Sequence, residues 1–274
     1  MDAALLSQTL RAGQRAYGTA VLTASPFWRP YLQNTGLDFV FIDTEHVPLD
    51  RDNLSWMCRA YDSISLPPIV RIPDHDPHRA CQTLDGGARG IVAPYIEHPD
   101  QLRPLIGATR HRPIKGQRLE AILRGDDSPE PKLKDYLHSR NHTNLLIANI
   151  ESRPAMKNLD AILELDALDG VLIGPHDLSC SLGHPEDYDH PDFDQAVQTI
   201  IQTARAAGKC AGLHFVHGLE RHLQLCRHGA NLIIHSDCIH LISQTLRTDL
   251  QHLRQGLGDS TAAKGEVAAT PTVV

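Results

Sequence analysis

Along the chain a helical stretch, a glycine and a short apolar run ending in polar residues recur as one unit. The unit reads LDGGARGIVAP (84–94), LDALDGVLIGP (165–175), AAGKCAGLHF (206–215) and CRHGANLIIHS (226–236). The glycine suits the left-handed position that closes a helix, and the run after it has the length of a buried parallel strand. Four further runs, YGTAVLT (17–23), LDFVFID (37–43), PPIVRI (67–72) and NLLIANI (144–150), bring the strand candidates to eight. Amphipathic stretches lie between them, among them RDNLSWMCRAYD (51–62), PAMKNLDAILELD (154–166) and FDQAVQTIIQTARAAG (193–208). Eight strands alternating with helices over about 250 residues predict an α/β fold, the (β/α)8 TIM barrel. A doubly wound open sheet is the alternative, but no GxGxxG follows the first strand.

Two segments break the repeat. Residues 109–143 mix polar, proline and glycine residues over a length unusual for a strand-to-strand link, and read as a functional loop at the barrel mouth. The tail GDSTAAKGEVAATPTVV (258–274) offers little to pack and is expected to be disordered, leaving one barrel domain over 1–257. The 274 residues carry 26 Lys and Arg against 33 Asp and Glu, a formal net charge of −7, with no basic run longer than two. A nucleic-acid or anionic-membrane surface is therefore not expected. The apolar runs are too short to cross a bilayer, and the N-terminus lacks a signal peptide's basic start and long apolar run. Six cysteines with no CxxC pair read as reduced, mostly buried thiols in a cytoplasmic protein.

Barrel enzymes set their reactive groups at the C-terminal ends of the strands. By that rule the second strand ends in Asp43-Thr44-Glu45-His46, the third in Arg71, and the fifth in Asn149-Ile150-Glu151. The sixth ends in Gly174-Pro175-His176-Asp177, the seventh near His214, and the eighth at His235-Ser236-Asp237. Glu151 and Asp177 lie one strand–helix–strand unit apart, which sets them side by side. Two carboxylates with room for water and ligand oxygens suit an octahedral hard cation, Mg2+ or Mn2+, better than Zn2+. The plainer reading leaves Glu151 in solvent and makes Asp177 the cap of a helix starting at Leu178. Their joint placement beside a Gly-Pro turn that presents backbone N–H groups favours the metal.

Arg71 in an apolar strand needs a carboxylate or an anionic substrate as partner. His46 follows two acids, Asp43 and Glu45, and either would orient its ring as a base. The chain holds 17 histidines, so those in loops and helix starts, such as His98 and His190, read as surface residues. No HExxH or His-x-His zinc spacing occurs. No lysine ends a candidate strand, which disfavours imine chemistry, and neither a GxSxG elbow nor a P-loop is present. Cys180 reads as a buried structural thiol. A hard metal, a histidine base and an arginine together suit enolate chemistry on a small 2-oxo acid.

On these residues the chain resembles the HpcH/HpaI family of class II pyruvate-dependent aldolases, which includes 4-hydroxy-2-oxo-heptanedioate and 2-keto-3-deoxy-sugar-acid aldolases. The resemblance spans about residues 15–255. It is carried by GLDFVFIDTEHVPLD (36–50), PIVRIP (68–73), LDGGARGIVAPYIE (84–97), IANIESRPAMKNLDAIL (147–163) and DGVLIGPHDLSCSLG (169–183), in the family's order and spacing. It implies a barrel of the phosphoenolpyruvate/pyruvate-binding type with an N-terminal helix. It places the metal on Glu151 and Asp177, as Mg2+ or Mn2+, with Co2+ a further candidate. It also implies that Arg71 contacts the keto or enolate oxygen and that His46, supported by Asp43, transfers protons. Asn149 and the turn of Gly174, Pro175, His176 and Asp177 would bind substrate, and Asp85 of the LDxGA motif would reach a neighbouring subunit's site. Family members are typically hexamers that exchange the C-terminal helix, so a homo-oligomer, trimer or hexamer, is implied. The chain departs from the pattern at Asn149, where Gln is usual, at His176, where a small residue or Asn is common, and at Thr44, which replaces a frequent glycine.

The resulting expectation is a metal-dependent carbon–carbon lyase that reversibly cleaves a 4-hydroxy-2-oxo acid to pyruvate, or a close 2-oxo acid, and an aldehyde. One rival keeps the enolate and changes its fate, as in oxaloacetate decarboxylation or a macrophomate-synthase-like capture. The other is a non-catalytic ligand-binding barrel, against which the set of His46, Arg71, Glu151 and Asp177 speaks.

Overall fold

A computed structural model of the chain describes residues 1–259, and residues 260–274, most of the expected tail, lie outside the described residues. Eight parallel strands close into a barrel in chain order: β1 (Ala16–Ala20), β2 (Phe39–Asp43), β3 (Pro68–Arg71), β4 (Gly90–Ala93), β5 (Leu145–Ile150), β6 (Gly170–Ile173), β7 (Cys210–Phe215) and β8 (Leu232–Asp237). Each of the eight candidate runs overlaps one of them; β1 starts one residue before its run and β8 ends one residue after its run. The period-two alternation then divides the strand residues between two cores. Phe39 and Phe41, Ile69, Val92, Leu145 and Ile147, Leu172, Leu232 and Ile234 pack together in the barrel interior. Leu6 and Leu10 of the N-terminal helix (Ala3–Arg11) join this cluster and close the floor. The alternate residues, Val40, Ile42, Val70, Ile91, Leu146, Ala148 and Val171 among them, pack against the helical ring. Each such large side chain, fully buried, contributes roughly 1.5–3 kcal/mol.

The helices follow their patterns closely. Helix Arg51–Asp62 is capped by Asp50, whose carboxylate accepts from the Asn53 N–H at 2.8 Å, and it turns Met57, Cys58 and Tyr61 to the barrel. The stretch 154–166 forms two short helices, Arg153–Lys157 and Leu159–Leu163, rather than one. The break falls at Asn158, whose side chain donates to the Glu97 carbonyl at 2.7 Å.

Three expectations are corrected. Gly208 and Gly229 take left-handed φ values of 73° and 114° after their helices, as the repeat predicts, but Gly170 does not. It opens β6, where a Cβ would come within 2.0 Å of Cys210 Sγ on β7, so it is required by the approach of two strands. Residues 109–143 hold two helices, Gly116–Arg124 and Pro131–Asn141, and lie at the floor rather than the mouth. The physical reason is chain direction: the segment follows helix Pro99–Arg110, which runs back down the barrel, and it leads into the start of β5. There Asn141 Nδ2 donates to the carbonyls of Arg110 and Arg112, and buried Asp169 accepts from Arg11 Nε and from the Leu146 N–H. Cys180 is exposed, because helix Pro175–Leu182 buries Leu178 and Ser179 instead.

Among the described residues no helix is long and apolar enough to cross a membrane. The C-terminal helix Cys238–Leu257 buries only Cys238 and leaves Ile239, Ile242, Leu246, Leu250, Leu253 and Leu257 exposed at helical spacing, an apolar stripe along its length.

Candidate active site

The inward rungs of β2, β3, β5 and β7 end in polar groups directly above the apolar core: Asp43 above Phe41, Arg71 above Ile69, Asn149 above Ile147, and His214 two residues beyond Gly212. Arg71, Asn149 and His214 line a cavity of ≈ 390 Å³ together with His46, Gly174, Pro175, His176 and Asp177, while Asp43 lies buried behind Arg71. Most of the strand-end residues named from the sequence line or adjoin this cavity, but Thr44, His235 and Asp237 do not: Thr44 lines a separate groove and donates to the Arg71 carbonyl. His235 is turned away from the cavity lining, with its Nδ1 3.1 Å from Nδ1 of His222. Asp237 caps the C-terminal helix through the N–H groups of Ile239 and His240.

Asp43 and Arg71 stand opposite each other in the β2–β3 register and form a two-point ion pair, Nε to Oδ1 at 2.8 Å and Nη2 to Oδ2 at 2.9 Å. Both are buried. Burial pushes the Asp43 carboxyl up, but the hydrogen bonds and charge of Arg71 outweigh it and hold the group below its usual value. The same pairing, with the charges of Glu45 and Glu151, overcomes burial to raise Arg71. Asp43 also accepts from the backbone N–H groups of Glu45 and His46, so its oxygens are taken and do not reach the His46 ring. Glu45 is the acid nearest that ring, with Oε2 3.8 Å from Nε2. Its Oε2 lies 3.1 Å from Arg71 Nε, whose proton is directed at Asp43, and thus has no hydrogen bond of its own.

Glu151 is 5% exposed at the end of β5. Its Oε1 accepts from the Tyr95 N–H at 2.8 Å and its Oε2 from Asn149 Nδ2 at 2.5 Å. Tyr95 reaches that position with a left-handed φ of 50°. Among the described residues no Lys or Arg bonds to the carboxylate. Burial, relieved in part by the Tyr95 N–H and reinforced by the nearby charge of Asp177, pushes Glu151 up to about 7. Gly174 makes room for it, since a Cβ there would sit 2.4 Å from Oε2. Asp177 lies in the first turn of helix Pro175–Leu182 and is not its cap, because the helix starts earlier than the sequence suggested. That helix has no side-chain cap at Gly174, so its first N–H groups face the cavity free. His214 packs against Phe41 at 5.6 Å between ring centroids, and burial, aided by the charge of Arg71, lowers it to about 4, which keeps it neutral.

A buried carboxylate without a cation, a second carboxylate whose charge reaches it, and unpartnered Oδ1 of Asn149 make an all-oxygen donor set that fits a hard divalent ion. Among the described residues, three or more potential ligands converge instead at His184, His190 and Asp192. There the two imidazoles stack at 3.5 Å and 15°, so their in-plane lone pairs do not meet, and His190 Nδ1 accepts the Asp192 N–H as a helix cap. That group staples a loop. Asp85 lies off the cavity altogether: it is exposed, pairs with Arg112 at 2.7 Å, and lines a groove between helices Arg51–Asp62 and Pro77–Gly86. Tyr95, Glu186, Tyr188 and His217, not singled out from the sequence, belong to the site or its wall. The strand-end rule reaches Tyr95, two residues past β4, and His217, two residues past β7, while Glu186 and Tyr188 sit in a loop whose path no periodicity reports.

Comparison with known proteins places this arrangement. The profile of the HpcH/HpaI aldolase/citrate lyase family matches residues 21–242. The 2-keto-3-deoxy-L-rhamnonate aldolase of Klebsiella pneumoniae is 35% identical over 204 residues, 74% of this chain and 76% of its own. The 4-hydroxy-2-oxo-heptane-1,7-dioate aldolase of Salmonella dublin is 35% identical over 206 residues, 74% of this chain and 77% of its own. A crystal structure of an HpcH/HpaI aldolase/citrate lyase family protein from Burkholderia cenocepacia superposes with a TM-score of 0.77 at 28% identity, covering 92% of this chain and 99% of that one. This chain is a metal-dependent aldolase and belongs to the HpcH/HpaI aldolase/citrate lyase family.

Proposed function

We propose that the enzyme reversibly cleaves 4-hydroxy-2-oxo acids to pyruvate, or a close 2-oxo acid, and an aldehyde, with Glu151 and Asp177 holding Mg2+ or Mn2+. The observation that carries this reading is the Glu151 carboxylate, buried, raised to about 7 and, among the described residues, lacking a cationic hydrogen-bond partner. A dication bound there supplies a Lewis acid beside the keto oxygen of the substrate.

The chain's own groups divide the remaining work. The free N–H groups of His176 and Asp177 at the helix N-terminus receive the substrate carboxylate, where the helix dipole favours negative charge. Arg71 spends Nε and Nη2 on Asp43, which fixes the guanidinium plane and leaves Nη1 for the oxygen on which negative charge develops. His46, 37% exposed and on the cavity wall, takes the C4 hydroxyl proton through water in cleavage and returns it in synthesis. Among the described residues no lysine lines the cavity, and Lys209 at the start of β7 donates to the carbonyls of Leu165 and Leu168.

The assay is pyruvate release from 4-hydroxy-2-oxo acids by the chelated enzyme. Loss in EDTA and return with Mg2+ or Mn2+ are expected, and undiminished cleavage in EDTA overturns the reading. We also propose a homo-oligomer in which a second copy covers the stripe from Ile239 to Leu257, and in which Asp85, off its own chain's cavity, serves a neighbour's site. Sedimentation velocity tests this, and a single-chain species opposes it. Six free thiols support a reducing compartment, the cytoplasm.

A further inference from the structure

β6 and β7 lie across the closed barrel from β2 and β3, so the loops after them face His46 and Arg71 over the cavity. Those loops carry three polar side chains that the metal and the pyruvyl half do not require: Glu186, His217 and the ring of His176. His176 Nε2 lies 3.6 Å from Glu186 Oε1, and the His217 ring stacks on Tyr188 at 4.6 Å. The backbone of this wall is held in place, with the His176 and Glu186 side chains exposed on it. The Glu186 N–H donates to Ser179 Oγ at 3.0 Å, the Tyr188 carbonyl accepts from Arg221 Nε at 3.0 Å, and the His184–His190 stack closes the loop behind them. Glu186 is kept there with a left-handed φ of 59°, a conformation a glutamate does not choose freely.

The chemistry of this wall is that of a hydroxyl-binding surface. A carboxylate accepts from hydroxyl groups, and a neutral imidazole both donates and accepts. Its charge is also one-sided. Asp177 and Glu186 are both acids, and among the described residues the sole Lys or Arg lining the cavity, Arg71, is across the barrel and paired with Asp43. A carboxylate on the incoming aldehyde would meet like charge here, whereas a neutral polyol would find partners.

We infer that Glu186, with His176 and His217, forms the subsite for the aldehyde half and selects a neutral hydroxyaldehyde over a carboxylated one. The inference rests on the aldol reading above. Its test compares kcat/KM for addition of pyruvate to glyceraldehyde and to succinic semialdehyde, using the Mg2+-loaded full chain. The wild-type enzyme is expected to favour glyceraldehyde by about tenfold or more, and Glu186→Gln to cut that ratio about tenfold, chiefly through KM, the scale of one hydrogen bond to a charged acceptor. Glu186→Asn, which tolerates the left-handed backbone, should shift the ratio likewise if the Gln variant folds poorly. A ratio unchanged by both variants, or a wild-type preference for the semialdehyde, overturns the assignment. Oxaloacetate decarboxylation by the wild-type enzyme separates the two levels of failure. Adducts formed without preference sink the subsite alone; decarboxylation with no adduct from either aldehyde sinks the aldol reading and the subsite together.

Discussion

Replacing Glu151 by Gln removes the charge from a carboxyl that burial first, and the Asp177 charge after it, push from 4.5 to about 7 against the pull of the Tyr95 N–H. Because the folded value lies above the unfolded one, the group's contribution to stability is fully present below pH 4.5. It is lost as the pH rises through 7. The gap corresponds to about 3 kcal/mol at pH 8 and to less than about 1 kcal/mol at pH 5. Gln can keep the local bonding: its oxygen accepts from the Tyr95 N–H, and its amide donates to Asn149 Oδ1, now unpartnered, once the Asn149 amide turns over. The assay is urea denaturation of both proteins in EDTA at the two pH values, repeated with Mg2+ or Mn2+. In EDTA at pH 8 the variant should be the more stable by about 1–3 kcal/mol, with near parity at pH 5. Metal at a hundred times its Kd should then stabilise the wild type alone by about 2.7 kcal/mol. A variant that is less stable at pH 8, or a difference that ignores pH, refutes the reasoning.

Arg71→Lys keeps the charge but loses the fork that grips both Asp43 oxygens. Denaturation should register a loss of about 1–3 kcal/mol, and steady-state cleavage a fall of about a hundredfold or more in kcat. Gly174→Ala places a methyl 2.4 Å from Glu151 Oε2 and must swing that carboxylate aside. Metal affinity, measured by calorimetry, should drop about 10–100-fold, while circular dichroism stays that of the folded barrel.

Much of the barrel was legible because its two periodicities are nearly undisturbed. FVFID alternates so that Phe41 fills the interior and Asp43 rises above it, and LLIANI does the same for Ile147 and Asn149. Strand ends thus named most of the residues that meet at the mouth. What the sequence could not report was which of them would bond. Asp43 lies three residues from His46 in the chain, yet it pairs with Arg71, because strand register sets a two-point guanidinium fork directly opposite it. Chain direction, invisible to composition, put residues 109–143 at the floor. Gly170 looked like a helix stop because contact between strands leaves the same letter as a left-handed turn. Tyr95 and Glu186 take left-handed φ values that their residue types argue against, so only the folded chain shows them bent into place.

The acidic pair is tested most directly by titrating Mn2+ into the chelated enzyme in a calorimeter, beside Glu151→Ala and Asp177→Ala. One equivalent bound per chain, with binding lost in both variants, is the expected result. Full-strength binding in either variant would contradict the assignment of those two carboxylates as the metal's ligands.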